Sequence, residues 1–443
     1  MPFADIAACG PASELLVHEE GWQSWSPAGT YPATSTSPRP PDAGRRVLGW
    51  RPDREQPVRG FQGEGLLAVG PRAEGGEVRI WYAPDPAREV PAIRARVIGG
   101  RLMVSADGPV AETVIEAGSM DAALARWADG VAGSWGARPV VPIPAVWCSW
   151  YQYFGSVTLQ DVVENLERAA ALRLAIGVVQ VDDGYAAEVG DWTSASPRFG
   201  GSLAELAARV RSSGRRAGIW VAPFLASERS RVAGAHPEWM VAGADPGRNW
   251  DRRLHVLDVT RAEAAEWISG CFRQLADWGF DYFKLDFLYA GALPGRRHQD
   301  ASPLDAYRAG LRLIRAAVGA EATLLGCGAP LLPSVGLVDA LRVGPDIALR
   351  REPERGDLSS PSQRGAELAT RARAFLHGRF WANDPDCLVL RPEMEGRAEW
   401  ARTVERWGGL RSCGDRLAAL DGWGLGAARR LLRPSASHPL VEV

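Results

Sequence analysis

From about residue 145 onward one unit repeats: a short apolar run, a loop rich in Asp, Gly and Pro, then an amphipathic stretch. The apolar runs fall at 146–150, 176–181, 217–223, 282–287, 323–327, 340–343, 379–382 and 409–412. Helical periodicity fills the intervals at 159–171, 203–212, 261–278, 303–318, 364–377 and 392–407, and a last helix is expected at 422–432. Eight strands alternating with helices predict a (β/α)8 TIM barrel. Such barrels carry their reactive groups on the loops that follow the strand C-termini, so the residues after each strand are the ones to read for function.

Residues 1–138 follow a different rule. They are rich in Gly and Pro, and apolar and polar residues alternate at 64–69, 78–82 and 92–98. Period-two alternation marks half-buried antiparallel strands, which predicts a β-sandwich-like N-terminal domain. A short helix is expected at 122–133, and the Pro-rich run 139–144 reads as a stiff linker. The expected organisation is a β-rich domain over 1–138, a barrel over 139–433 and a short tail over 434–443.

The strand ends deliver a consistent set. The first ends in Trp147-Cys148-Ser149-Trp150, and the second is followed by Asp182-Asp183-Gly184-Tyr185 and then Gly190-Asp191-Trp192. The third carries Trp220, the fourth Lys284-Leu285-Asp286, and the fifth Gly326-Cys327-Gly328. The sixth yields Arg342-Val343-Gly344-Pro345-Asp346, and the seventh Trp381-Ala382-Asn383-Asp384-Pro385-Asp386. Taken singly, each has a plain structural reading: Asp-Asp-Gly as a turn, Asp346 as a helix cap, Asn-Asp-Pro-Asp as a turn. Taken together on one barrel rim, they read as a site.

Lys284 is the one lysine among 51 basic residues, the others being arginine. An ammonium is a compact point charge and a guanidinium a planar fork, so an exception to so strong a bias marks a position that needs the former. Lys284 and Asp286 lie two apart on an aromatic strand and therefore face the same way. A structural ion pair is the alternative to a functional one. Two carboxylates flanking an acetal carbon are what glycosidic cleavage requires. Asp286, beside a cation, suits the nucleophile, while Asp346, with no adjacent lysine, suits the acid/base. Arg342, four residues before Asp346, is placed to reach substrate hydroxyls. The chain also has eighteen tryptophans. Those near turns and strand ends, including Trp147, Trp150, Trp192 and Trp220, could stack on the C–H faces of a sugar, although core packing explains any one of them alone.

Composition excludes other classes. A net charge of −2 leaves no basic footprint for nucleic acid or an anionic membrane. No run reaches the ~20 apolar residues of a membrane span, and residues 1–16 lack the basic start and apolar stretch of a signal peptide. Six dispersed cysteines with no CxxC pair predict neither structural zinc nor a disulfide framework. Six scattered histidines form no HExxH motif. No metal and no cofactor are expected. A cytoplasmic location is expected, with a small carbohydrate as the partner and no nucleic acid or membrane; a homo-oligomer is compatible with the sequence.

Trp147-Cys148-Ser149-Trp150, Val181-Asp182-Asp183-Gly184-Tyr185, Phe283-Lys284-Leu285-Asp286, Arg342-Val343-Gly344-Pro345-Asp346 and the run 377–391 together resemble family 36 glycoside hydrolases. These are α-galactosidases that share a clan with family 27. The N-terminal Gly21-Trp22-Gln23-Ser24-Trp25-Ser26 also resembles that family's β-sandwich. The resemblance implies Asp286 as nucleophile and Asp346 as acid/base. It implies Asp182 and Asp183 as the pair binding the galactose 4- and 6-hydroxyls, Lys284 and Arg342 as further hydroxyl contacts, and Trp147 as an aromatic wall. It further implies retention through a covalent glycosyl-enzyme, without metal or nicotinamide. The sequence departs from the family pattern in two places. The family's glutamate-rich third-strand loop is Ala222-Pro223-Phe224-Leu225 here, and about ten residues follow the last helix where members carry a C-terminal β-domain.

The leading expectation is a retaining α-galactosidase. Another α-glycosidase or a transglycosidase of the same clan is the nearest alternative, to be decided by the contact to the sugar's C2 group around Cys327. A non-catalytic carbohydrate-binding barrel and a metal-dependent hydrolase are the more distant ones.

Overall fold

The computed structural model describes residues 2–39 and 46–433. The expected tail over 434–443 lies outside the described residues.

Among the described residues nine strands precede the barrel: β1 (Ala4–Pro11), β2 (Leu15–Glu19), β3 (Gly29–Pro32), β4 (Phe61–Glu64), β5 (Leu66–Pro71), β6 (Gly76–Tyr82), β7 (Ala92–Ile98), β8 (Arg101–Ala106) and β9 (Ala111–Ala117). They form two antiparallel sheets, ordered β1-β8-β7-β4 and β3-β2-β5-β6-β9. Alternation decides where their side chains go. Leu67, Val69 and Trp81 point between the sheets to meet Phe61, Ile93, Leu102 and Val104. Leu66, Ala68, Val78 and Ile80 point the other way, onto the helix Met120–Ala132 and the main core. That helix starts where the Ser119 hydroxyl accepts from the Ala122 amide. Its Trp127 packs against Trp135, Phe375 and Phe380, tying the sandwich to the barrel.

The barrel strands are β10 (Ala145–Cys148), β11 (Ile176–Val181), β12 (Arg216–Val221), β16 (Phe280–Leu285), β17 (Thr323–Gly326), β18 (Ala340–Arg342), β19 (Ala382–Asp384) and β20 (Ser412–Cys413). Between β12 and β16 lies an inserted antiparallel trio, β13 (Leu225–Ser227), β14 (Arg248–Asn249) and β15 (Arg252–Val256). The barrel sheet is parallel throughout, in the order β19-β18-β17-β16-β12-β11-β10-β20. It closes where the Asn383 carbonyl accepts from the Gly409 and Leu410 amides at 2.9 and 2.8 Å. Val146, Val178, Tyr282, Leu325, Ala340, Ala382 and Leu410 fill the interior as one layer. Helices at Leu159–Ala171, Leu203–Ser212, Ala262–Asp277 and Pro303–Val318 cover the outside. Thr158 and Asp161 form a reciprocal capping box at the first of these, and Ser302 caps the last with Pro303 in its first turn.

Two expected strands move. The seventh is Ala382–Asp384 and not 379–382, because residues 374–376 form a tight turn whose continuation places Phe380 and Trp381 in the core before the strand begins. The eighth shrinks to two residues. No helix among the described residues is long and apolar enough to cross a membrane.

Candidate active site

A cavity of about 470 Å³ opens above the strand C-termini. Its floor is Asp182, Trp220, Lys284 and Asp286; its sides carry Asp183, Trp150, Phe287 and Asp346. Two walls come from outside the barrel strands. Trp25 and Leu48 belong to the N-terminal region, and Arg248, Asn249 and Trp250 to the inserted trio.

The floor follows from strand alternation. On β16, Phe283 and Leu285 point into the helix-side core, so Tyr282 and Lys284 point inward. Trp220 pairs with Lys284 in register across β12 and β16 and likewise faces in. Asp182 lies one residue beyond β11, and its Oδ2 accepts from Lys284 Nζ at 2.9 Å, Gln180 Nε2 at 2.6 Å and the Cys148 thiol at 3.3 Å. Burial pulls the Lys284 ammonium down, but the carboxylates of Asp182 and then Asp286 more than reverse this and leave it raised well above the usual lysine range. The cation expected to serve Asp286 is therefore bonded to Asp182.

Asp286 is 7% exposed. Its Oδ2 accepts from Trp220 Nε1 at 2.9 Å and its Oδ1 from the Phe287 amide at 2.7 Å. Phe287 has φ 51°, a left-handed backbone that turns the chain sharply after the strand. Asp346 has a third of its side chain exposed, and its Oδ1 accepts from Arg342 Nη1 at 2.9 Å. Burial raises its carboxyl above the ordinary range; Arg342 and Lys284 oppose the rise, and Asp286 and Asp182 add to it. Asp183 accepts from Trp250 Nε1 at 2.6 Å, and burial pushes it up to about 6.

Of the twelve predicted residues, seven line this cavity, three lie beneath it and two lie elsewhere. Asp286, Asp346, Asp182, Asp183, Lys284, Trp150 and Trp220 line it. Arg342 lies just below, 2% exposed, where its fork is spent on Asp346, Asp384 and Asp386 and not offered to the open space. Trp147 is no cavity wall: Val146 and Cys148 occupy the inner face of β10, so Trp147 turns outward and donates to the Asp415 carbonyl at 2.8 Å. Trp192 packs edge-on against Trp220 at 5.6 Å, supporting it from behind. Cys327 is 1% exposed below the floor. Asp384 points inward from β19 but is held beneath the cavity by Arg342.

Of the lining residues that escaped the sequence reading, three sit on the inserted hairpin. Trp250 and Asp251, at φ 54° and 53°, form the two-residue turn joining β14 to β15, so that Trp250 sits 4.9 Å from the Phe287 ring and 6.2 Å from the Trp220 ring. Both central residues at positive φ define the hairpin turn that Asn-Gly normally fills, and two residues with Cβ there store strain. A tryptophan in the polar run 245–251 was the available signal. Arg248 and Asn249 arrive on the same hairpin.

Trp25 is delivered by a strap. Ser24 bonds the loop after β17 twice, its amide donating to the Ala329 carbonyl at 3.0 Å and its hydroxyl accepting from the Ala329 amide at 3.1 Å. Arg373, fully buried, donates to Glu20 at 2.8 Å and to the Ser24 carbonyl at 2.9 Å. Breaking such a buried pair typically costs about 3–5 kcal/mol, so the strap is fixed on the rim.

A closed parallel barrel with paired carboxylates, a buried ammonium and aromatic walls around one cavity places the chain in the TIM-barrel class. Comparison with known proteins agrees. Residues 137–302 match the melibiase family model. The bifunctional alpha-galactosidase/sucrose kinase AgaSK of Mediterraneibacter gnavus is 32% identical over 166 residues, covering 34% of this chain and 17% of that protein. The curated relatives are thus matched over a small part of their own length. Among solved structures, TtGalA, an alpha-galactosidase from Thermus thermophilus in complex with p-nitrophenyl alpha-D-galactopyranoside, superposes with a TM-score of 0.80 at 29% identity, covering 97% of this chain and 87% of that one. The GH36 alpha-galactosidase AgaA from Geobacillus stearothermophilus shares the fold, with a TM-score of 0.66 at 14% identity over 97% of this chain and 61% of that one. These matches support an alpha-galactosidase family for the chain, and glycoside hydrolase family 36 fits them.

Proposed function

We propose that the chain is a retaining α-galactosidase that hydrolyses terminal α-galactosides through a covalent glycosyl-enzyme. The observation that carries this reading is that Asp286 and Asp346 line one cavity in unlike environments. Asp286 is gripped by two donors, which fixes its orientation for in-line attack. Burial raises the Asp346 carboxyl above the ordinary carboxylate range, which is the direction a general acid needs.

In the first step a carboxylate oxygen of Asp286 bonds to C1 while the C1–O bond to the leaving group breaks. Asp346 gives its proton to the departing oxygen. In the second step Asp346, now a carboxylate, takes a proton from water as the water oxygen attacks C1 from the opposite side, and Asp286 leaves. Two displacements at C1 restore its configuration. Asp182, Asp183 and Lys284 are acceptors and a donor for sugar hydroxyls. Trp25, Trp250 and Phe287 give apolar faces for the ring. TtGalA is described in complex with stachyose, a galactoside larger than the aryl glycoside, which supports small α-galactosides as the substrate class.

The reading includes a β-rich region over 1–138 and a catalytic barrel over 139–433. It also includes a cytoplasmic location, for which six buried, unbridged cysteines are the support. A panel of p-nitrophenyl α-glycosides tests the substrate. Release from the α-galactoside well above the α-glucoside and the 2-acetamido analogue is expected; cleavage of another sugar with the galactoside untouched contradicts the reading.

A further inference from the structure

Beneath the cavity floor Arg342, Asp384 and Asp386 form a charge cluster that plays no part in either displacement step. Arg342 donates through Nη1 to Asp346 at 2.9 Å, through Nε to Asp384 at 3.2 Å and through Nη2 to Asp386 at 2.8 Å. Asp384 and Asp386 are 2% and 0% exposed. Burying two carboxylates to hold one guanidinium costs more desolvation than the pairing requires, so mere anchoring of Arg342 leaves the second acid unexplained.

Asp386 makes a second connection to the same place. Its Oδ2 accepts from the amide of Ile347, the residue after Asp346, at 2.9 Å, and also from the Tyr151 hydroxyl. Its Oδ1 also accepts from the Cys387 amide at 2.7 Å. The Asp386 backbone sits at φ 102°, a region that residues with a Cβ seldom adopt. The surroundings therefore over-determine where this carboxylate points. It grips Asp346 twice, through its side chain by way of Arg342 and through its backbone by way of Ile347.

We propose that Asp386 is a positioning residue for Asp346: by way of Arg342 and the Ile347 amide it fixes the acid/base carboxyl in place and offsets the charge of Arg342 beside it. The proposal rests on the reading of Asp346 as the acid/base. The charges facing Asp346 are Arg342 and Lys284 on one side of the balance and Asp286 and Asp182 on the other. Those facing Asp386 are Arg342, Asp346 and Asp384, with the Tyr151 hydroxyl donating to it and the Cys387 thiol alongside. Burial raises both Asp346 and Asp386, Arg342 opposes both, and each carboxylate raises the other. Without the charge of Asp386, Arg342 acts on Asp346 less opposed, and the carboxyl ionises at lower pH.

The test is the pH profile of kcat/KM for Asp386→Asn. The limb on which activity falls with rising pH reports loss of the Asp346 proton. It is expected to move down by about one pH unit, costing roughly tenfold in rate above the limb while KM changes little. Tyr151→Phe, which removes one donor from Asp386, is expected to move the same limb the same way by a smaller amount. Lower activity with an unmoved limb in both variants overturns the proposal. If Asp386→Asn is not recovered folded, the Tyr151→Phe limb decides alone. Asp346→Ala assayed on aryl α-galactosides of graded leaving-group acidity separates the two levels. Turnover retained only on the most acidic leaving groups supports the acid/base reading; if it is retained and the limbs stay put, only the role of Asp386 fails. Equal loss on every leaving group overturns the acid/base reading itself.

Discussion

Lys284 reaches across the sheet to Asp182, with Nζ 2.9 Å from Oδ2, and not to Asp286 two residues along its own strand. The only ammonium among the chain's basic side chains thus joins the carboxylate loops after β11 and β16 across the intervening β12, and Asp182 is the best-bonded acid on the floor. A planar guanidinium does not reproduce the point-charge contact that the ammonium makes with Asp182 among Cys148, Gln180 and Trp220. Lys284→Arg is therefore expected to fail as a conservative change. Losing a charged hydrogen bond of this kind is worth about 1.5–3 kcal/mol, or roughly tenfold to a hundredfold in kcat/KM, to be read by steady-state kinetics on an α-galactoside.

Asp183 should cost stability at neutral pH. Its folded carboxyl is raised to about 6 by burial, whereas the ordinary value is 3.8. A raised acid binds its proton more tightly in the folded state, so the fold gains stability as pH drops from about 6 toward 3.8 and forgoes that gain above 6. Asp183→Asn removes the buried charge. The expected outcome is a melting temperature higher by about 2 °C at pH 7.5, with most of the activity gone, and a smaller difference at pH 5. A variant that melts lower at pH 7.5 contradicts the assignment.

Trp250 connects the inserted hairpin to Asp183 by a 2.6 Å hydrogen bond. Trp250→Phe keeps an aromatic face and deletes the donor. A hydrogen bond to a charged group is worth about 1.5–3 kcal/mol, so KM for a galactoside is expected to rise roughly tenfold to a hundredfold. The change in kcat is expected to be smaller, because the hairpin lies on the cavity wall, away from the pair Asp286 and Asp346. Unchanged KM would place Trp250 outside the binding surface.

His18 makes the fold acid-sensitive. It is fully buried between Thr30 and Phe375, where its Nδ1 lies 3.0 Å from the Thr30 hydroxyl. Burial, and then Arg373, lower it to about 3. A depressed histidine stays neutral in the folded state while the unfolded chain takes up a proton below 6.5, so stability is full above 6.5 and is lost as pH falls toward 3. His18→Leu should flatten the melting temperature between pH 6.5 and 4, measured by calorimetry; an equally steep decline would assign the acid loss to other groups.

How much of this was legible in the sequence depends on whether a residue's direction follows from strand parity. Lys284, Asp286, Asp182 and Asp183 each end or follow an apolar strand, so their placement on the rim was readable. Trp147 sat in an equally suggestive motif, but it neighbours Val146 on a strand whose inner face is Val146 and Cys148, and parity sends it outward. Parity applied residue by residue would have removed it. The seventh strand was misplaced because Phe380 and Trp381 are as apolar as any strand, yet they serve the helix-side core ahead of it. Trp250 was missed for a different reason. It lies on a hairpin with no apolar alternation, held by a turn that its own residues disfavour, and nothing local in the chain announces that geometry. The pairings of Arg342 with Asp384 and Asp386 join segments about forty residues apart and emerge only when the barrel closes.

The central claim is that Asp286 forms a covalent bond to the sugar. Incubation with a 2-deoxy-2-fluoro-α-galactosyl fluoride, proteolysis and mass spectrometry test it directly. A fluorogalactosyl adduct on the peptide carrying Asp286, absent in Asp286→Ala, is the expected result. An adduct on Asp346 or on any other residue, or steady turnover of the reagent by Asp286→Ala, contradicts the account.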